Sequence, residues 1–294
     1  MAEPDELFTL KNQLWVGNYA NVLSESALLN HLSESLRNER DVYVYRAHLA
    51  LGNVSLVLQS IPDAGAQTPI ALSAVRLWAT YLSGHHDDKE LLDLTLSEWL
   101  QDPLSGENPH LLLLAGQMYA LENKLSDALS TLLRGGSLEH LLYVVHLYLQ
   151  MHRLDLATKT VEDMQRIEED STLTQLAHAW CLTVQGGDKA DEATLHFQEL
   201  ADRFGATPLL LNGAAAAFMA LANYDEAERL LLDAVQKDSG NEDTLVNLIA
   251  VSAHLNKPTQ QYIGQLQQVA PSSAWLKNYV LLDQSFLEMA AGFA

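Results

Sequence analysis

Four alanines set at near-constant intervals constrain this chain more than any other feature of it. Ala128, Ala157, Ala193 and Ala227 each sit in a run where apolar residues return every three or four positions. The intervals between them are 29, 36 and 34 residues. Alanine is the best helix former but buries little apolar surface. A small residue recurring on a helical stripe marks a place where two backbones come close. An interval of about 34 residues holds two helices and their turns, and self-similarity at that period marks a stack of repeated units.

A matching set precedes each alanine. Leu112, Ala115, Gly116 and Tyr119 come before Ala128 and Leu132. Leu141, Val144, Val145 and Tyr148 come before Ala157 and Val161. Leu173, Leu176, Ala177 and Trp180 come before Ala193 and Phe197. Leu211, Ala214, Ala215 and Phe218 come before Tyr224, Ala227, Leu231 and Ala234, and Leu245, Leu248 and Ile249 open a further pair. These offsets match the tetratricopeptide pattern, in which small residues let two antiparallel helices nest and larger ones fill the space beside them. The uneven intervals fall at "RGGSLEH" and "QGGDKAD", in loops that absorb length changes at little entropic cost. The expected fold is all-α: a tetratricopeptide-repeat-like right-handed superhelix, an α-solenoid of antiparallel helix pairs, forming one domain over residues 1–294. The clearest repeats span 108–255. Residues 1–107 read as divergent helix pairs. Residues 256–294 read as C-terminal helices and a cap whose polar residues face water.

The punctuation agrees. Thr68-Pro69, Asn108-Pro109 and Thr207-Pro208 each put a capping side chain before a proline at the first helical position. Gly52, Gly84, Gly135-Gly136, Gly186-Gly187, Gly205 and Gly240 follow helical runs, where a left-handed C-cap is wanted. No alternating strand run stands out, and Asn212-Gly213 lies inside a helical pattern rather than in a hairpin. Helices of roughly 10–16 residues joined by short turns are expected.

Composition narrows the function. With 48% hydrophobic and 19% charged residues, the chain can bury an elongated core. Its formal net charge of −21 repels phosphate backbones and anionic lipid, which argues against nucleic-acid binding and direct electrostatic docking on a membrane. The one cysteine, Cys181, lies in "AHAWCLTV" and reads as a buried thiol in a reducing compartment. "MAEPDELF" has no signal-peptide character, so a soluble cytosolic chain is expected. Asn53-Val-Ser55 matches a glycosylation sequon that the cytosol leaves unused.

No catalytic motif emerges. "GHHDDKE", with His85, His86, Asp87 and Asp88, is the most metal-like cluster. Adjacent histidines on a helix point about 100° apart and converge poorly on one ion, so it reads as a solvated turn. His140 and His146 are too far apart to share a helix face, and they read as core or groove residues. There is no GxSxG, GxGxxG or Walker loop. An α/α-toroid glycosidase would need two carboxylates facing across a cleft, and no pair stands out. No enzyme activity, cofactor or metal is expected.

What remains is the inner face of each first helix, where solenoids hold their partners. The register puts His110, Leu113, Gln117, Leu142, His146, His178, Asn212, Ala216, Met219, Val246, Asn247 and Ala250 there, some of them packing on neighbouring helices instead. The set is apolar and neutral. A clamp for acidic tails would need Lys or Arg, so a partly apolar protein segment is the better occupant.

Several stretches resemble a known family. "DELFTLKNQLWVGNY", "RDVYVYRAHLALG", "LDLATKTVEDMQRIEEDSTLTQLAHAW", "PLLLNGAAAAFMA" and "AERLLLDAVQKDSGNEDTLVNLIAVSAHLNKP" resemble, in order, the epsilon subunits of coatomer, the coat complex of COPI vesicles. "QRIEEDSTLTQLAHAW" and "KDSGNEDTLVNLI" are the most specific, since the repeat requires neither. The resemblance implies a non-enzymatic superhelix that pairs with the C-terminal domain of coatomer's alpha subunit, encircles an extended segment of it and stabilises it. It implies a cytoplasmic protein, peripheral on Golgi membranes and COPI-coated vesicles, touching the membrane only through the coat. The implied role is in retrograde Golgi-to-endoplasmic-reticulum and intra-Golgi transport. The competing reading is another acidic tetratricopeptide-type adaptor, chaperone-linked or a vesicle-fusion attachment factor. Those would need basic groove residues or an apolar membrane-contacting loop, and neither is evident.

Overall fold

A computed structural model describes residues 5–62, 68–84 and 89–292, and every regular element in them is a helix. The chain forms two compact units, one ending at Cys181 and the other beginning at Leu182. In the first unit the helices come in pairs: α1 (Phe8–Trp15) with α2 (Tyr19–Ser26), α3 (Glu34–Ala50) with α4 (Val54–Ser60), and α5 (Ile70–Leu82) with α6 (Lys89–Gln101). They continue with α7 (Pro109–Leu121) and α8 (Leu125–Gly135), then α9 (Leu138–Gln150) and α10 (Leu154–Glu168). Helix α11 (Thr172–Gln185) carries the boundary. The second unit holds α12 (Asp188–Phe204), α13 (Pro208–Ala220), α14 (Tyr224–Lys237), α15 (Glu242–His254), α16 (Gln260–Val269) and α17 (Ala274–Ala291). Odd numbers are first helices and even numbers second helices. Their lengths, from 7 residues in α4 to 18 in α17, exceed the expected range at both ends.

The turns show a period that the side chains hid. Every turn from a first to a second helix carries a residue with positive φ soon after the first helix ends: Gly17, Gly52, Gly84, Asn123, His152, Gly186 (followed by Gly187), Ala222 and Asn256. They recur at intervals of 29 to 39 residues, from the start of the chain. After six of them, the next N–H donates back to a carbonyl five residues earlier: Asn18 to Gln13, Asn53 to His48, Lys124 to Tyr119, Arg153 to Tyr148, Asn223 to Phe218 and Lys257 to Ser252, all at 2.8–2.9 Å. This is the Schellman closure, which satisfies the last carbonyls of the first helix and reverses the chain. The repeat therefore extends to the described residues before 108, where the apolar pattern reads only as divergent helix pairs.

The N-terminal caps fit two of the three proline sites. Asn108 Oδ1 accepts from the His110 and Leu111 N–H groups (3.1 and 3.2 Å), and Thr207 Oγ1 accepts from the Leu210 N–H (3.3 Å). The third site is shifted: Pro69 itself is the N-cap of α5, and no side chain caps it. Of the expected C-cap glycines, Gly135 and Gly240 are not left-handed. At Gly240 the Asp238 carboxylate takes the turn's N–H at 3.0 Å, so no left-handed residue is needed. Gly135 is needed for space, since a Cβ there would lie 2.1 Å from the His140 ring.

Small residues do sit where helices nest. Ala128, Ala157, Ala193 and Ala227 are all fully buried. A Cβ on Gly116 would meet the Leu132 side chain at 2.5 Å, and one on Gly213 would meet Phe197 at 2.4 Å. In the run Ala214–Ala217 of α13, Ala214, Ala215 and Ala217 are buried and Ala216 is half-buried. Cys181 is buried as expected, and burial pushes its thiol up to about 11, leaving it protonated at neutral pH.

Candidate partner-binding site

In the first unit the inner faces of the first helices turn on one another around a polar centre. Arg46 of α3 donates through Nη2 to Glu139 Oε1 of α9 at 2.5 Å, and both side chains are about nine-tenths buried. His110 of α7 meets the Tyr43 ring edge-on, with centroids 5.5 Å apart. The Arg46 guanidinium and the Lys11 ammonium lie over the same ring at 5.6 and 5.7 Å. Lys11 is paired in turn with Asp5 and Glu39. Thr172 of α11 donates its hydroxyl to Asn12 Oδ1 of α1 at 2.6 Å, joining helices 160 residues apart.

The charges at this centre are set by burial and by each other. Burial alone would raise the Glu139 carboxyl, but the Arg46 charge and hydrogen bond outweigh it and hold the group below its ordinary value. Burial first, and Arg46 second, lower His110 from 6.5 to about 4, so the ring is neutral at physiological pH. Burial pushes Tyr143 up to about 12, against the opposing effect of Arg46. The centre thus holds compensated charges, Arg46 with Glu139 and Lys11 with Asp5 and Glu39, among neutral rings.

Beside it lies a cavity of about 220 Å³ lined by Trp78, Gly116, Gln117, Ala120, Leu121, Leu132, Tyr143, His146 and Leu147. Trp78 stacks on Tyr81 at 5.7 Å, and His146 meets Trp180 edge-on at 6.2 Å. On the first helices of this unit, four buried polar atoms have no partner among the described residues: Gln13 Oε1 and Trp15 Nε1 of α1, Arg46 Nη1 of α3 and Gln117 Nε2 of α7. An unsatisfied buried polar group costs about 1–3 kcal/mol. Gln117 Nε2, on the aromatic-lined wall, suits an inserted segment that brings both apolar side chains and backbone hydrogen-bonding groups.

The expected groove residues fall in different surroundings. Gln117 and His146 line the cavity. Leu113 and Leu142 are interior: Leu113 is 1% exposed and packs on Ala128 and Leu132, so neither is open to a partner. His110 belongs to the polar centre, and His178 is half-buried with a contact of its own. In the second unit, Asn212 and Asn247 knit α13 to α15. Asn212 Nδ2 donates to Thr244 Oγ1 at 2.7 Å and Asn247 Nδ2 to Asn212 Oδ1 at 3.0 Å. Ala216, Met219, Val246 and Ala250 are half-buried there, with Met219 and Val246 packed against core clusters.

The expectation of an inner face without Lys or Arg needs correction, because Arg46 and Lys11 both point into the first unit's centre. They were missed because the register before residue 108 was unclear. One signal was available: Arg46 interrupts the apolar run "VYVYRAHLALG", and a cation there requires a partner. Its engagement with Glu139 still leaves no open basic clamp. Among the described residues, no group of three His, Cys, Asp or Glu could hold a metal ion. The "GHHDDKE" histidines and aspartates lie outside the described residues.

The family model for the coatomer epsilon subunit matches residues 3–294. The chain belongs to the coatomer epsilon-subunit family. Coatomer subunit epsilon-1 of Oryza sativa subsp. japonica is 41% identical over 97% of this chain and 97% of its own. Coatomer subunit epsilon-1 of Arabidopsis thaliana is 40% identical over 100% of this chain and 99% of its own. Coatomer subunit epsilon of Dictyostelium discoideum is 34% identical over 92% and 93%. Solved structures support the fold. A tetratricopeptide repeat protein from Parabacteroides merdae aligns with a TM-score of 0.52 at 13% identity, covering 93% of this chain and 95% of that one. The APC/C hetero-tetramer Cut9–Hcn1 aligns with a TM-score of 0.59 at 12% identity, covering 90% and 52%. This epsilon-family chain is thus an all-α solenoid of tetratricopeptide type. None of its described helices is long and apolar enough to cross a membrane.

Proposed function

We propose that this chain is a non-enzymatic structural subunit of the COPI vesicle coat that binds and stabilises the C-terminal domain of coatomer's alpha subunit. Family membership supports the coat assignment. The observation that carries the binding mode is the aromatic-lined cavity of the first unit, whose wall includes Gln117 with its Nε2 buried and unpartnered among the described residues. An extended segment of the alpha subunit would lay an apolar side chain in the cavity and offer a backbone carbonyl to Gln117 Nε2. The protein acts in the cytoplasm on Golgi membranes and COPI-coated vesicles, supporting retrograde Golgi-to-endoplasmic-reticulum and intra-Golgi transport, and reaches the membrane only through the coat. The net charge of −21 fits that indirect contact. Titration calorimetry of the full chain with the C-terminal domain of the alpha subunit tests the reading: a one-to-one complex is expected, and absence of binding refutes it.

A further inference from the structure

Helix α17 carries an uncovered apolar face, and the repeat itself indicates what covers such a face. Elsewhere in the second unit, a first helix is covered by the second helix of its own pair: Ala215 of α13 packs on Ala227 and Leu231 of α14. Likewise Leu245 and Ile249 of α15 pack on Ile263 and Leu266 of α16. Helix α17 stands in the next first-helix position. Ser273 caps it, accepting from the Leu276 N–H at 3.3 Å. Its opening turns pack on α16 through Trp275, Leu276 and Tyr279, with the Trp275 and Tyr279 rings stacked at 5.3 Å. The stripe begun by Trp275 and Tyr279 then continues, at alternating steps of three and four, through Leu282, Phe286 and Met289. These three are 71%, 64% and 62% exposed, and Leu281 and Leu287 beside them are 60% and 59% exposed. The expected cap with polar residues facing water is therefore not what these turns present. Among the described residues, nothing covers them.

We propose that α17 is a docking helix for an amphipathic helix of another coat protein, which covers it as a second helix covers a first elsewhere in this unit. Steps of three and four specify a helical cover, because only a helix offers matching holes along such a stripe. A second copy of this chain fits poorly. Two α17 helices would bury at most on the order of 600 Å² on each copy, short of the ~800 Å² a side of a standard interface, and each copy brings a net charge of −21. A lipid surface fits no better, since Lys277 is the one cation on the helix and Asp283 lies within its apolar arc. Asp283 also specifies the partner: its helix carries a Lys or Arg opposite that carboxylate, within an otherwise apolar stripe. The surface uses none of the inner-face residues described above.

Photo-crosslinking in purified coatomer tests this, with benzoylphenylalanine in place of Phe286. Adducts are expected at positions three or four apart in one helix of another coat protein. No adduct, or adducts confined to this chain, a second copy or lipid, would overturn the proposal. The paired variant Leu282→Glu with Phe286→Glu alters exposed side chains, so its helical circular dichroism and thermal midpoint should match the parent. Its affinity for coatomer stripped of this chain should fall by ~tenfold or more, and unchanged affinity would equally overturn the proposal.

Discussion

Removing one member of the Arg46–Glu139 pair leaves the other charged and nine-tenths buried. Breaking such a pair costs about 3–5 kcal/mol, whereas replacing both members with apolar residues of similar size is often neutral. Arg46→Ala should therefore lose that much stability in urea denaturation, and Arg46→Met with Glu139→Leu should recover most of it. A loss under about 1 kcal/mol for Arg46→Ala would mean the pair is solvated. His110 adds a pH dependence. Its folded value, about 4, lies below its ordinary 6.5, so the unfolded chain takes up a proton first as pH falls. Stability associated with neutral His110 is complete above 6.5 and declines towards 4. Relative to a His110→Gln variant, the parent should lose up to about 3 kcal/mol across that window, read from unfolding curves at several pH values. Little of this centre was legible in the sequence. Arg46 and Glu139 are 93 residues apart, and only the stacking of three repeats brings them together.

At the scale of the element, the turn between paired helices is the most repeated device in the chain. Its left-handed position is glycine in four of eight cases, which a sequence can reveal. The other four are Asn123, His152, Ala222 and Asn256, and these conceal the period. Alanine at φ +56 pays a steric cost that glycine does not. Ala222→Gly should raise stability by about 1 kcal/mol, seen as a higher thermal midpoint; an unchanged or lower midpoint would contradict the left-handed assignment. The alanine register at 128, 157, 193 and 227 was legible because each position faces a neighbouring helix whatever the loop length. The cap expected near residue 280 was misread because Trp275, Leu276 and Tyr279 do pack, and no local pattern tells where covering stops.

At the scale of the whole molecule, the all-α solenoid followed from the period, and the family from stretches that the period does not require. Of the residues expected in a partner groove, Gln117 and His146 line the cavity, while Leu113 and Leu142 serve the core. A register error of one residue turns a helix face by about 100°, which is enough to exchange wall for interior. The central claim is that the first unit's inner face holds a segment of the alpha subunit. Leu121 stands at the cavity and is 62% exposed, so Leu121→Glu puts a charge there without disturbing the core. The most direct measurement is titration calorimetry in which the C-terminal domain of the alpha subunit is added to the full chain and to that variant. The account predicts binding to the parent and at least ~tenfold weaker binding to Leu121→Glu, the effect expected of a buried interface position. Equal affinity for both would contradict it.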